Sequence, residues 1–139
     1  MSERYCPQTD IVEWSQAVGI TRADIHTQIA KKTEEDLEVL EAWEAGDDEA
    51  LAAELIDVAI VSLGMLGLLG VDFYQAAQTK MNTTWQKYNP DTIDSYRALG
   101  YSREEAFAQM KRDWQLTHPN PSYTGSGEQP DMIQLSLSI

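Results

Sequence analysis

The chain has 139 residues, enough for one compact domain with a modest core, and 42% of them are hydrophobic, which excludes a wholly disordered protein. Its formal net charge of −13 opposes binding to duplex nucleic acid or to anionic membranes. Nucleotide phosphates carry the same sign, so an acidic protein that handles them needs divalent cations to bridge the two.

Cys6 is the only cysteine, which rules out an internal disulfide and a cysteine-based zinc site and suits a reducing cytoplasm. The first ten residues, MSERYCPQTD, hold no apolar stretch of the secretory kind, so the expected localisation is cytoplasmic.

The pattern predicts five helices and no strand, an all-α fold. Asp10 is expected to cap a first helix, Ile11 to Ala17, which Gly19 ends. Thr21 and Asp24 resemble a capping box that opens a second helix reaching Ala45. Its apolar positions Ile25, Ile29, Leu37 and Leu40 approximate one helical stripe. Gly46-Asp47-Asp48 reads as stop, turn and new cap. A third helix follows to Leu69 and is closed by Gly70. Its run from Val58 to Gly70 spans 13 residues with only Ser62 polar. A membrane span needs about 20, so this stretch is predicted to be a buried core helix. Asp72 caps a fourth helix to Trp85, and Asn89-Pro90 then breaks the pattern. Ser102 to Glu105 is a second capping box, opening a fifth helix to Trp114. The segment THPNPSYTGSGEQPD reads as an extended arm, and Met132 to Ile139 alternates only weakly. The expected organisation is a domain over 1–115 and an arm over 116–139.

Chemistry concentrates between the second and third helices. Glu35 and Glu38 share one helix face, as do Glu54 and Asp57. Glu38 and Glu54 each lie eight residues from Gly46, and Glu35 and Asp57 each lie eleven from it. With a rise of about 1.5 Å per residue, an antiparallel hairpin brings all four carboxylates to one height. Such a cage of hard oxygens suits Mg²⁺ or Mn²⁺. Acidic runs such as Glu34-Glu35-Asp36 are ordinarily solvated surface. Glu54 and Asp57 differ, because they lead straight into the most apolar part of the chain. Carboxylates there are costly to desolvate without a compensating cation.

The pattern Glu34-Glu35-Asp36-Leu37-Glu38, then fifteen residues, then Glu54-Leu55-Ile56-Asp57, resembles the signature of the MazG-like all-α nucleoside-triphosphate pyrophosphohydrolases. Lys80-Met81 followed by Tyr88 is similar to the lysine-containing segment that follows in that superfamily. The likeness covers Thr21 to Pro90. It departs where relatives carry asparagine four residues after the lysine: Thr84 stands there, and Asn82 comes earlier.

The resemblance implies hydrolysis of a (deoxy)nucleoside triphosphate between its α and β phosphates, giving monophosphate and pyrophosphate. It implies Mg²⁺ or Mn²⁺ held by Glu35, Glu38, Glu54 and Asp57, with Glu35 or Glu38 as the base that takes the water's proton. Lys80 would steady the phosphates, with Asn82 and Lys31 as further contacts. Trp14 or Trp43 could stack on a base, but at helical spacing they read first as packing, as does Trp85; a purine such as dGTP is favoured only by the room that stacking would need. Gly64 and Gly67 permit close helix approach of the kind that builds a subunit interface, and relatives form dimers or tetramers. The competing reading from charge alone is a non-enzymatic acidic protein, such as a nucleic-acid mimic.

Overall fold

The computed structural model describes residues 4–119, and all of their regular structure is helical. The order is α1 (Pro7–Ala17), a 3₁₀ turn (Arg22–Asp24), α2 (Ile25–Glu44), α3 (Asp48–Leu68), α4 (Phe73–Lys87), α5 (Pro90–Ala98) and α6 (Arg103–Thr117). These pack as two compact units, one ending at Ala76 and one beginning at Ala77. The division thus falls inside α4, whereas the sequence suggested one domain to residue 115. The stretch expected to form a terminal arm lies outside the described residues from position 120 onward.

In the first unit, α2 and α3 form the expected antiparallel hairpin, and α1 packs on α3. The turn is built by the backbone. Gly46 adopts φ 69°, in the left-handed region that glycine enters without steric cost. Gly46 N–H donates to the Trp43 carbonyl at 3.0 Å and Asp47 N–H to the Ala42 carbonyl at 3.3 Å, the paired bonds of a Schellman stop. Asp47, rather than Asp48, then caps α3, its carboxylate accepting from Ala50 N–H at 3.0 Å.

Elsewhere the boundaries shift for identifiable reasons. Pro7 takes the first helical position of α1, so the helix starts ahead of Ile11 and Asp10 lies in its first turn instead of capping it. Thr21 N–H donates to Asp24 Oδ2 at 2.7 Å, but this box opens the 3₁₀ turn that precedes α2. Asn89-Pro90 does not merely interrupt. Asn89 Oδ1 accepts from Asp91 N–H at 2.9 Å and Pro90 is again the first helical residue, so the break starts the unforeseen helix α5. In the second unit, α5 and α6 pair around the buried Ala106 and Met110, with Tyr88 edge-on to Phe107 at 5.4 Å.

The expectation of a buried core helix is not met by α3. None of its residues is fully buried, because α1 and α2 cover only part of its circumference. Leu55, Ile56 and Ile60 are exposed on it, and Leu37, Leu40 and Trp43 are exposed on α2. Trp14 and Trp85 are exposed too, so the packing role expected of Trp85 does not hold. By length and composition α3 would suffice to cross a membrane. Glu54 and Asp57 sit within it, however, and intramembrane carboxylates are expensive.

Gly64 and Gly67 do serve close helix approach, but the partner is α1 of the same chain. A Cβ at Gly64 would lie 3.3 Å from Ile11 Cγ2, and one at Gly67 would collide with Val12 Cγ2. Gln8 fastens the same contact. Its amide donates to the Val71 carbonyl at 2.8 Å, and its Oε1 accepts from Phe73 N–H at 2.8 Å. Alanine at 67 should therefore cost about 1–3 kcal/mol through overpacking, outweighing a gain of up to about 1 kcal/mol in helix propensity. Guanidinium unfolding followed by circular dichroism measures this. A Gly67→Ala protein as stable as wild type would mean that α1 is free to slide off α3.

Candidate metal centre

The hairpin register set at Gly46 brings Glu35, Glu38 and Glu54 together. Each offers a carboxylate oxygen, and these oxygens all lie within 4.8 Å of one another. Asp57 lies one turn beyond Glu54 on α3, exposed, and its carboxylate is outside that group. Three of the four expected carboxylates thus form one cluster, and the fourth, Asp57, is exposed on α3.

Burial differs across the cluster. Glu35 is 6% exposed, Glu54 is half-buried and Glu38 is exposed. Glu35 Oε1 receives the Lys31 ammonium at 2.8 Å. The second oxygen of Glu35 and one oxygen of Glu54, both buried, have no hydrogen-bond partner. An ionised oxygen buried without a donor is unfavourable, and a cation is the compensation this donor set fits best. Lys32 pairs with Asp36 at 2.9 Å, one position round the helix.

Glu38 responds most clearly to its neighbours. A proton shared with Glu54, together with the negative charges of Glu35 and Glu54, raises its carboxyl above the usual carboxylate range. Metal-free, the cluster therefore holds a proton on Glu38 more tightly than an isolated carboxylate would.

Lys31 is on α2 beside the cluster, with half its side chain exposed. Trp14 is on α1 and open to solvent. Lys80 and Asn82 lie on α4 in the second unit, Asn82 exposed and Lys80 partly buried. Partial burial, and then the charge of Lys87, pull the Lys80 ammonium below its ordinary value. Thr84, where relatives carry asparagine, turns its hydroxyl back to the Lys80 carbonyl at 2.9 Å. His26 and His118 are exposed, and His118 stacks on Trp114 with ring centres 3.6 Å apart. Sequence reasoning missed Gln8, whose capacity to bridge α1 to the α3–α4 turn has no spacing signature.

The carboxylates of α2 and α3 thus form, on an all-α hairpin, a group of hard oxygen donors that could hold a metal ion. Residues 15–79 match the family model of phosphoribosyl-ATP pyrophosphohydrolase, a member of the MazG-like all-α nucleoside-triphosphate pyrophosphohydrolase superfamily. No curated protein and no solved structure gives a significant match.

The raised Glu38 carboxyl carries a sign. A group whose proton is held more tightly in the folded state contributes stability at low pH, and that contribution fades as pH rises through its folded value. In EDTA, Glu38→Gln should thus melt a few degrees above wild type at neutral pH. The gap should close as pH falls toward the ordinary carboxylate range. A gap that stays constant or widens in acid would place the strain elsewhere.

Proposed function

We propose that the protein is a divalent-metal-dependent pyrophosphohydrolase acting on (deoxy)nucleoside triphosphates, splitting them between the α and β phosphates into monophosphate and pyrophosphate. The observation that carries this reading is the pair of buried, unpartnered oxygens on Glu35 and Glu54 inside a cluster with Glu38. Glu35, Glu38 and Glu54 would hold the cation, and Asp57, exposed on α3, would complete the set. When bound, Mg²⁺ or Mn²⁺ supplies charge neutralisation toward the phosphates and an acidified water. Glu38, exposed and with its carboxyl raised above the ordinary carboxylate range, is well suited to take the water's proton; Glu35 is the alternative base. Lys31 is assigned to the phosphates and Trp14 to the base, with a purine such as dGTP preferred.

A second substrate follows from the matched family, which is named for phosphoribosyl-ATP. Both readings use the same centre, so a substrate panel separates them. Each NTP and dNTP and phosphoribosyl-ATP is incubated with Mg²⁺, and the products are resolved chromatographically. Pyrophosphate with a monophosphate is the expected pair, lost in EDTA and restored by Mg²⁺ or Mn²⁺. Release of a diphosphate and orthophosphate would contradict the assigned bond, and inertness toward the whole panel would favour an acidic binding protein.

Substitutions sharpen the test. Glu35→Gln, Glu38→Gln, Glu54→Gln and Asp57→Asn keep shape while deleting charge. Each should lower kcat by orders of magnitude, with effects that do not add, since the four act as a unit. Glu34 is turned about 100° from Glu35 on the helix, so Glu34→Gln should be mild. All five substitutions lowering the melting temperature while leaving turnover intact would make these residues structural.

Assembly belongs to the same proposal. Ala42, Ala106 and Met110 are the only fully buried apolar residues described, a small core for a chain of this length. Leu37, Leu40 and Trp43 on α2, with Leu55, Ile56 and Ile60 on α3, are assigned to a subunit interface in a dimer or tetramer. Light scattering should give a multiple of the chain mass, and Leu40→Glu with Ile56→Glu should reduce it. A wild-type monomer at micromolar concentration would count against the assignment.

A further inference from the structure

Lys31 stands one helical turn before Glu35, and its ammonium is 2.8 Å from Glu35 Oε1 and 3.7 Å from Glu34 Oε2. The two partners differ sharply in burial: the Glu35 side chain is 8% exposed and that of Lys31 is 49% exposed. The ammonium therefore reaches inward from solvent on a flexible four-carbon stem. Among the described residues of the first unit, it is the one cation in ion-pair range of a cluster carboxylate. A carboxylate as buried as Glu35 is costly to keep ionised alone, and Lys31 supplies the missing charge.

That contact is incompatible with a loaded site. A divalent ion taking the free oxygens of Glu35 and Glu54 would set two positive charges within a few ångströms of the ammonium, and the low local dielectric would strengthen their repulsion. The lysine, already half in water, has an unobstructed way out.

We propose that Lys31 is the resident counter-ion of the metal-free cluster, displaced from Glu35 when a divalent cation binds and thereby released to meet an anionic substrate. This rests on the metal reading above and adds a regulatory step to the same site. One side chain stabilises the empty state and holds down cation affinity. It becomes available to phosphate only after the cation is in place, so metal loading and phosphate capture are coupled.

The test uses Mn²⁺ alone, without nucleotide. Mn²⁺ is titrated calorimetrically into the full chain as wild type, Lys31→Met, Lys31→Gln, Lys31→Arg and Lys32→Met, and each is melted in EDTA and in Mn²⁺. Removing the competing charge with either Met or Gln should tighten Mn²⁺ binding by up to about fivefold, the range expected of a partly exposed ion pair. The same two variants should melt lower in EDTA and gain more from Mn²⁺ than wild type. Lys31→Arg retains a cation and should stay near wild type. Lys32→Met removes a neighbouring charge paired to Asp36, and it should leave Mn²⁺ affinity unchanged.

Unchanged affinity in Lys31→Met and Lys31→Gln overturns the proposal, since the lysine then does not compete. Weakened affinity overturns it in the other sense, because the lysine would then support the loaded site. Equal tightening in Lys32→Met also overturns it, by reducing the effect to long-range charge. A wild-type protein that binds no Mn²⁺ removes the metal reading itself and the proposal with it, so the two failures are told apart by which protein is silent.

Discussion

Register between α2 and α3 is the constraint on which the site depends. A slip of one residue on either helix would turn its carboxylates by about 100° and shift them by about 1.5 Å, dispersing the cluster. Register is fixed at the turn, where the stop on Gly46 and the cap on Asp47 leave no spare residue. Gly46 takes the left-handed conformation, its bonds to α2 close the last carbonyls, and Asp47 opens α3 at once. Side-chain packing along the hairpin cannot perform this task alone, because the seam carries small and acidic residues, Ala42 and Glu35 among its most buried.

What the turn enforces is electrostatically adverse. Three carboxylates approach within 4.8 Å, one of them buried, on a chain already at −13. Two partial remedies coexist in the metal-free protein. Lys31 neutralises one oxygen of Glu35, and Glu54 and Glu35 raise the Glu38 carboxyl above the ordinary carboxylate range. Neither remedy reaches the second oxygen of Glu35. Hairpin stability and site charge are thus opposed: folding free energy is spent on holding like charges close together.

Much of this was legible in the residue order. Equal spacing of Glu38 and Glu54 about Gly46 foretold their meeting, because helix rise is nearly constant and a glycine stop is unambiguous. Asp57 satisfied the same arithmetic with Glu35 yet lies outside the cluster. Linear spacing gives height along a hairpin but not burial, and Asp57 is exposed where Glu54 is half-buried. Pro90 misled for a related reason: proline ends a helix from within and begins one from its first position, and only Asn89 ahead of it tells the two apart. Gly64 and Gly67 signalled a close approach correctly, but nothing in their spacing named α1 as the partner.

Burial was the least legible property. Hydrophobicity along α3 and the stripe on α2 suggest a core, yet in a single chain the Leu37, Leu40 and Trp43 stripe is exposed and no residue of α3 is fully covered. Apolar patterning reports that a surface will be covered without saying by what. Here α1 takes the glycine-bearing part of α3, where its backbone comes close, and the bulky residues Leu55, Ile56 and Ile60 remain outside that contact. Small residues thus serve packing within the chain, while large ones are held back on the outer surface. A second copy covering that surface would also lower the dielectric around the adjoining carboxylates, raising both the cost of the empty cluster and the value of the cation that fills it.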